Sequence, residues 1–297
     1  MLRKKENTGG KVKKRKKKII NAFIILIFLT GAGILLYPTC SNIWNVYRNS
    51  QLISKYSRAV KALSENDYKK IWDDAEAYNK QHTQNVISDA FSSDGDYILT
   101  HPYDNLLNPD NDEIMGYVEI PKISVKLAIY HGVGEKALEE GCGHIEGTSL
   151  PIGGEDTHAV LAAHRGLPSA KLFTDLDQLK IGDVFYIHIL DNTLAYKVNQ
   201  VLVVNPDETE ALAIENGKDY VTLLTCTPYG VNTQRLLVRG ERTEYTEEEK
   251  NNSLAQSQLE QADSGETAPI LLAAGIAIVI IIIIILRKRY GDRRSRD

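Results

Sequence analysis

Cysteine is scarce in this chain, three in 297 residues, and that scarcity narrows the chemistry. Nothing resembles the disulfide framework of a small secreted domain, since Cys142 and Cys226 allow one bridge at most. No Cys-x-x-Cys and no closely spaced histidine pair offers a zinc ligand set, so no metal or other cofactor is expected. A basic body is missing as well. The first 18 residues hold ten Lys or Arg and one acid, and residues 287–297 hold six and two. The stretch between them carries 36 of the 39 acids. The basic ends therefore give no argument for nucleic acid as a partner. With 43% hydrophobic and 25% charged residues, the chain is neither disordered nor collagen-like.

Each basic end abuts an apolar run. Residues 19–37 contain no charge, and residues 270–286 are apolar with an unbroken aliphatic end. About 20 apolar residues cross a bilayer, with a range of roughly 17–25, and both runs qualify. Positive charge stays on the cytoplasmic side. A two-pass protein is therefore expected, with both termini cytoplasmic and the acidic body outside. A cleaved leader would need a small-residue site that Gly31-Ala-Gly-Ile-Leu-Leu-Tyr does not supply. Tyr37-Pro-Thr before Cys40 is a poor context for a lipid-modified cysteine. The first run reads as an uncleaved anchor.

Between the spans the pattern changes twice. Helical spacing of apolar residues fills 38–82, including Val46, Tyr47, Val60, Leu63, Tyr68, Ile71 and Trp72. Residues 83–113 are rich in Asn, Ser, Asp, Gly and Pro, a loop longer than the ~12–15 residues usual without a function. From 114 to 242 the sequence is β-rich. Strands are expected at 115–120, 126–130, 157–164, 183–190, 193–204, 220–226 and 233–242. Short helices are expected at 135–140, 169–179 and 207–213. Seven or eight short strands with Gly, Pro, Asn and Asp between them predict a mainly β, closed or nearly closed barrel. Residues 243–269 form an acidic linker to the second span.

One stretch concentrates potential chemistry: Val221-Thr-Leu-Leu-Thr-Cys-Thr-Pro-Tyr-Gly-Val-Asn-Thr-Gln-Arg235. A thiol ending one strand and a guanidinium opening the next would face the same end of a sheet. Positive charge there favours thiolate and can hold an oxyanion. The plainer alternative is a buried thiol serving as a small apolar residue. A nucleophilic thiol also needs a base, and seven histidines compete for that part. His82 and His101 sit in polar surroundings, His188 inside a strand, and His131, His144 and His158 at strand ends or in a loop. His164 ends the apolar strand Ala159-Val-Leu-Ala-Ala and opens a Gly/Pro loop, where a rigid scaffold presents functional groups. Spacing alone leaves the choice open.

Ala162-Ala-His-Arg-Gly166, Thr222-Leu-Leu-Thr-Cys226 and Arg235 nine residues later resemble a sortase over roughly residues 85–242. Gly116-Tyr-Val-Glu-Ile-Pro-Lys-Ile and Gly143-His-Ile-Glu-Gly-Thr-Ser-Leu-Pro-Ile-Gly-Gly154 are similar to the pilus-assembling class C branch found in Gram-positive bacteria. The resemblance implies a closed barrel of about eight strands behind N-terminal helices. It also implies Cys226 as nucleophile, His164 as acid and base, and Arg235 as oxyanion and substrate support. The substrate it implies is an LPXTG-like sorting signal cut between Thr and Gly. The acceptor is a pilin lysine, with cell-wall precursor as the alternative. Class C enzymes often carry a lid with Asp-Pro-aromatic, and Asp89-Ala-Phe91 resembles it with Ala90 in place of Pro. The resemblance pairs Asp89 with Arg235 and lays Phe91 over the Cys226 sulfur; His101-Pro-Tyr-Asp104 is a weaker rival. Cys142 is assigned to packing.

Two other classes fit less well. Papain-like peptidases place Cys before His and follow the Cys with a helix. A wall-anchored surface protein needs a sorting motif before its last span, and Asp263-Ser-Gly-Glu-Thr-Ala-Pro269 is not one.

Overall fold

The computed structural model describes residues 7–81, 91, 103–248, 250–252, 254 and 255. Asp89, His82, His101 and the second apolar run at 270–286 lie outside them. The chain divides into two compact units, the smaller made of residues 121–124 and 246–297. Within that smaller unit the described residues comprise a 3₁₀ turn at Pro121–Ile123 and helical residues beyond 246. The long N-terminal helix, the barrel and the site all belong to the larger unit.

The first apolar run and the helical pattern beyond it form one continuous helix, α1 (Asn7–Ala62), with Pro38 inside it. Its apolar stretch is long enough to cross a membrane and is not buried by the protein. Beyond that stretch α1 packs on the body through one face. Asn49 donates to the Glu140 carbonyl (2.7 Å) and accepts from the Ala128 amide (2.9 Å). Tyr56 donates to the Met115 carbonyl (2.7 Å) and accepts from the Leu190 amide (2.8 Å). Both side chains are fully buried. Helix α2 (Glu65–Gln81) starts where Ser64 accepts from the Asp67 amide (3.2 Å), an N-cap that satisfies an otherwise orphaned donor. Its Asn79 brackets Leu150 with two hydrogen bonds.

Eight strands close a barrel: β1 (Ile114–Ile120), β2 (Val125–His131), β3 (Cys142–His144), β4 (Thr157–Ala162), β5 (Val184–Ile189), β6 (Asn192–Val204), β7 (Asp219–Thr227) and β8 (Gln234–Thr243). Their spatial order is β1-β2-β3-β4-β7-β8-β6-β5. Helix α3 (Glu135–Glu140) lies between β2 and β3 in the chain. Strands β4 and β7 pair in parallel. Ala159-Val-Leu-Ala and Val221-Thr-Leu-Leu are accordingly continuous buried runs without polar alternation. The second half of β6 alternates and leaves Val201 and Val203 exposed.

Four expectations need correction. Strand β4 stops at Ala162, two residues before His164, because the chain leaves the ladder for the His-Arg-Gly turn. The helices expected at 169–179 and 207–213 are series of turns, with 3₁₀ structure only at Leu176–Gln178 and Glu210–Leu212. Strand β3 is absent from the sequence-based expectation. Glu-Gly-Cys-Gly-His reads as a loop, yet its glycine serves close packing: a Cβ on Gly143 would lie 2.2 Å from the Gly132 carbonyl oxygen. This short strand bridges β2 and β4 and so completes the barrel wall.

Candidate active site

Three neighbouring strands set the site. The β4–β7 register ends with Ala162 opposite Leu224. His164 follows two residues after β4 ends, in the turn that leaves it, and Cys226 stands two residues beyond Leu224 within β7. The junction is held just before them: Thr225 Oγ1 donates to the Ala163 carbonyl (2.7 Å), and the Ala163 amide to the Leu224 carbonyl (3.2 Å). On the other side, Cys226 and Arg235 are direct partners in the antiparallel β7–β8 ladder. Directly opposed residues bring their Cβ atoms to about 4.5–5.5 Å. The order across the sheet is therefore imidazole, thiol, guanidinium.

Burial and hydrogen bonding fix the two flanking groups differently. Cys226 and Arg235 are buried, and none of the three cysteines is in a disulfide. The Arg235 guanidinium donates to the carbonyls of Asn232 (3.1 Å) and Gln234 (3.0 Å). Those bonds lock its plane, so the remaining donors have a defined direction. His164 is partly buried; that desolvation pulls its pKa below the ordinary value, against a small opposing pull from Glu139.

Phe91 lies against both flanking groups. Its ring centroid is 5.3 Å from that of His164, at a 39° tilt. The Arg235 Cζ stands 5.3 Å from the same centroid, within cation–π range. The ring also packs on the buried cluster of Leu138, Ile145, Val160, Ala162, Leu224 and Leu237. Its partner in the resembled motif, Asp89, is outside the described residues.

The other described histidines are occupied elsewhere. His131 bonds the carbonyls of Leu106 and Glu113. His144 bonds Tyr103 and the Ser149 carbonyl. His158 bonds the Ala213 carbonyl and Thr222, and His188 bonds Glu119 and Thr193. Cys142 is fully buried and its thiol is pushed well up by burial, which makes it inert as a nucleophile.

Sequence reasoning assigns Arg165 no part, although it sits in the His-Arg-Gly turn. Its side chain is only 9% exposed and pairs with Asp177. It donates to Thr227 Oγ1 (3.2 Å), the residue after Cys226, and lies 5.9 Å from the Tyr229 ring centre. Gly166 accepts the same tyrosine: its φ is +78°, and a Cβ there would come 3.1 Å from the ring. Arg165 thus ties the loop carrying His164 to the loop after Cys226. The signal available in the sequence is a charged residue directly beside the histidine, with an acid twelve positions on.

A cavity of 1230 Å³ lies elsewhere, lined by Trp72, Glu76, Lys80, Asp219 and Arg242 among others. Asp219 begins β7 and Arg242 closes β8, so it opens at the opposite end of these strands from Cys226. No His, Cys, Asp and Glu group among the described residues is arranged to hold a metal.

Comparison with known proteins converges on one family. A sortase domain model matches residues 118–243. Sortase A of Bacillus anthracis is 27% identical over 226 residues, covering 76% of this chain and 95% of that protein. The crystal structure of sortase C-1 from Streptococcus pneumoniae is 47% identical with a TM-score of 0.63. It covers 66% of this chain and 100% of that one. A pilus-related sortase C of Group B Streptococcus is 44% identical with a TM-score of 0.59, covering 63% and 95%. With a shared barrel and this level of identity over nearly the whole of the solved domains, the chain belongs to the sortase family of cysteine transpeptidases.

Proposed function

We propose that the row His164, Cys226, Arg235 is the catalytic centre of a pilus-assembling transpeptidase. The observation that carries the reading is the direct Cys226–Arg235 pairing in the β7–β8 ladder, beside a His164 that shares the Phe91 ring with Arg235. The Cys226 thiolate, its proton held by His164, attacks the carbonyl carbon of the Thr–Gly bond in an LPXTG-like signal. The C=O electron pair moves to oxygen, where the Arg235 guanidinium stabilises the charge. Collapse expels the glycine amine, which takes a proton from His164, and leaves a thioester on Cys226. A lysine amine of another pilin then attacks the thioester carbon and loses its proton to His164. The thiolate departs, and an isopeptide bond joins the two subunits.

In this reading Phe91 is the aromatic of a lid, and its place on His164 and Arg235 supports that role. Asp89 is assigned as its acidic partner on sequence resemblance. The same resemblance favours a two-pass protein with residues 38–269 outside, the barrel at 114–242 and the linker at 243–269. α1 supports the first crossing by length and composition.

The test is reconstitution of the full chain with a pilin bearing a sorting signal. High-molecular-weight ladders are expected, absent with Cys226→Ala. Cleavage without any ladder, at a rate unaffected by added amine, would overturn the transpeptidase reading.

A further inference from the structure

Helix α1 carries an apolar surface that outlasts the expected span. Ile43, Trp44, Val46 and Tyr47 are between 54% and 65% exposed. The Trp44 and Tyr47 rings are 5.8 Å apart. The next outward positions, Ser50 and Gln51, are polar. No charged residue occurs between Lys18 and Arg48. These 29 uncharged residues measure about 43 Å along a helix at 1.5 Å each. That equals the ~40–45 Å of a bilayer including its headgroup layers, whereas the hydrocarbon alone needs ~30 Å. Trp and Tyr are the residues that settle at the headgroup level.

The opposite face of the same turns holds the barrel. Ser41 donates to the Ser169 carbonyl (2.8 Å), and Asn42 accepts from the Lys171 amide (2.8 Å). Asn45 and Asn49 both reach the Glu140 carbonyl. Ser169 and Lys171 belong to the loop that leaves His164 and returns to it, since the Phe173 amide donates to the His164 carbonyl (3.2 Å). Ser169 is five positions on from His164, a reach of at most about 18 Å.

Taking α1 as a membrane span, we infer that the outer headgroup layer reaches Tyr47, so that Ile43, Trp44, Val46 and Tyr47 face lipid. The barrel then rests on the bilayer surface instead of standing off on a stalk. The loop carrying His164 is the part held nearest the lipid.

The test uses the full chain with Trp72→Phe, which leaves Trp44 as the sole tryptophan, in phosphatidylcholine/phosphatidylglycerol vesicles. The vesicles contain lipid spin-labelled either at the headgroup or deep in the acyl chain. Trp44 fluorescence should fall at least twofold with the headgroup label and less with the deep one. Unquenched Trp44 in protein that floats with the vesicles overturns the inference while leaving the span intact. Failure to float overturns both.

A second arm inserts seven helix-forming residues between Thr39 and Cys40, lifting the barrel about 10 Å in nearly the same phase. Transfer from a membrane-anchored pilin should drop tenfold or more, with cleavage of a soluble sorting-signal peptide unchanged. Equal activity on both substrates, or equal loss on both, counts against a set height. A wild-type chain that cleaves neither refutes the proposed function, and the quenching result alone then decides where α1 sits.

Discussion

Phe91 is the residue that touches both the proposed acid–base group, His164, and the proposed oxyanion support, Arg235. Its ring removes water from one side of His164 and faces the Arg235 guanidinium. Desolvation is the leading cause of the depressed His164 pKa, so taking the ring away should raise it. Phe91→Ala is expected to move the imidazole titration, followed by NMR, upward toward the ordinary 6.5. Cys226 should also react faster with a maleimide. An unmoved titration would show that the ring does not set the surroundings of His164. Arg165 acts at one remove, by joining the two catalytic loops. Arg165→Gln should lower kcat about tenfold with little change in KM, and Arg165→Lys should recover part of it; a change confined to KM would argue against positioning. The residue scale is also where sequence is most informative. Pattern alone places Cys226, Arg235 and His164 at strand ends, but the choice among seven histidines needs the β4–β7 register, which no local spacing encodes.

At the scale of elements, the structure depends on a few buried polar side chains that fasten α1 to the barrel. Asn49 is fully buried and satisfies both the Ala128 amide and the Glu140 carbonyl. Asn49→Ala leaves both without that partner. A buried group left unpaired costs about 1–3 kcal/mol, so the thermal midpoint of the detergent-solubilised protein should fall by several degrees. Asn49→Asp keeps the acceptor for Ala128 but sets a buried carboxylate oxygen against the Glu140 carbonyl, and should cost at least as much. Long strands such as β6 and β8 are legible because composition and punctuation agree. Strand β3 is not, since Gly143 is there for backbone approach to Gly132, and a glycine read locally marks a turn. The turns at 169–175 imitate a helix because their apolar residues, Ala170, Leu172 and Phe173, carry helical spacing while serving a loop folded back on His164.

At the scale of the molecule, charge segregation and the two apolar runs give a topology that labelling can check. A cysteine placed at the exposed Glu155 should react with a membrane-impermeant maleimide in intact cells in a Cys40→Ser, Cys226→Ala background. Cysteines replacing Arg3 or Ser295 should react only after permeabilisation. Reaction at Ser295→Cys in intact cells would refute the return crossing. The candidate span at 19–37 is readable from the sequence, but its fusion into a single helix running to Ala62 is not, because Pro38 reads as a boundary. The parallel β4–β7 pairing has one more consequence. His164 and Cys226 are brought level by strands far apart in the chain, and no segment near Cys226 supplies an imidazole. In the proposed mechanism the imidazole therefore reaches Cys226 only once the barrel has closed, and the thiol of a chain not yet folded lacks its base.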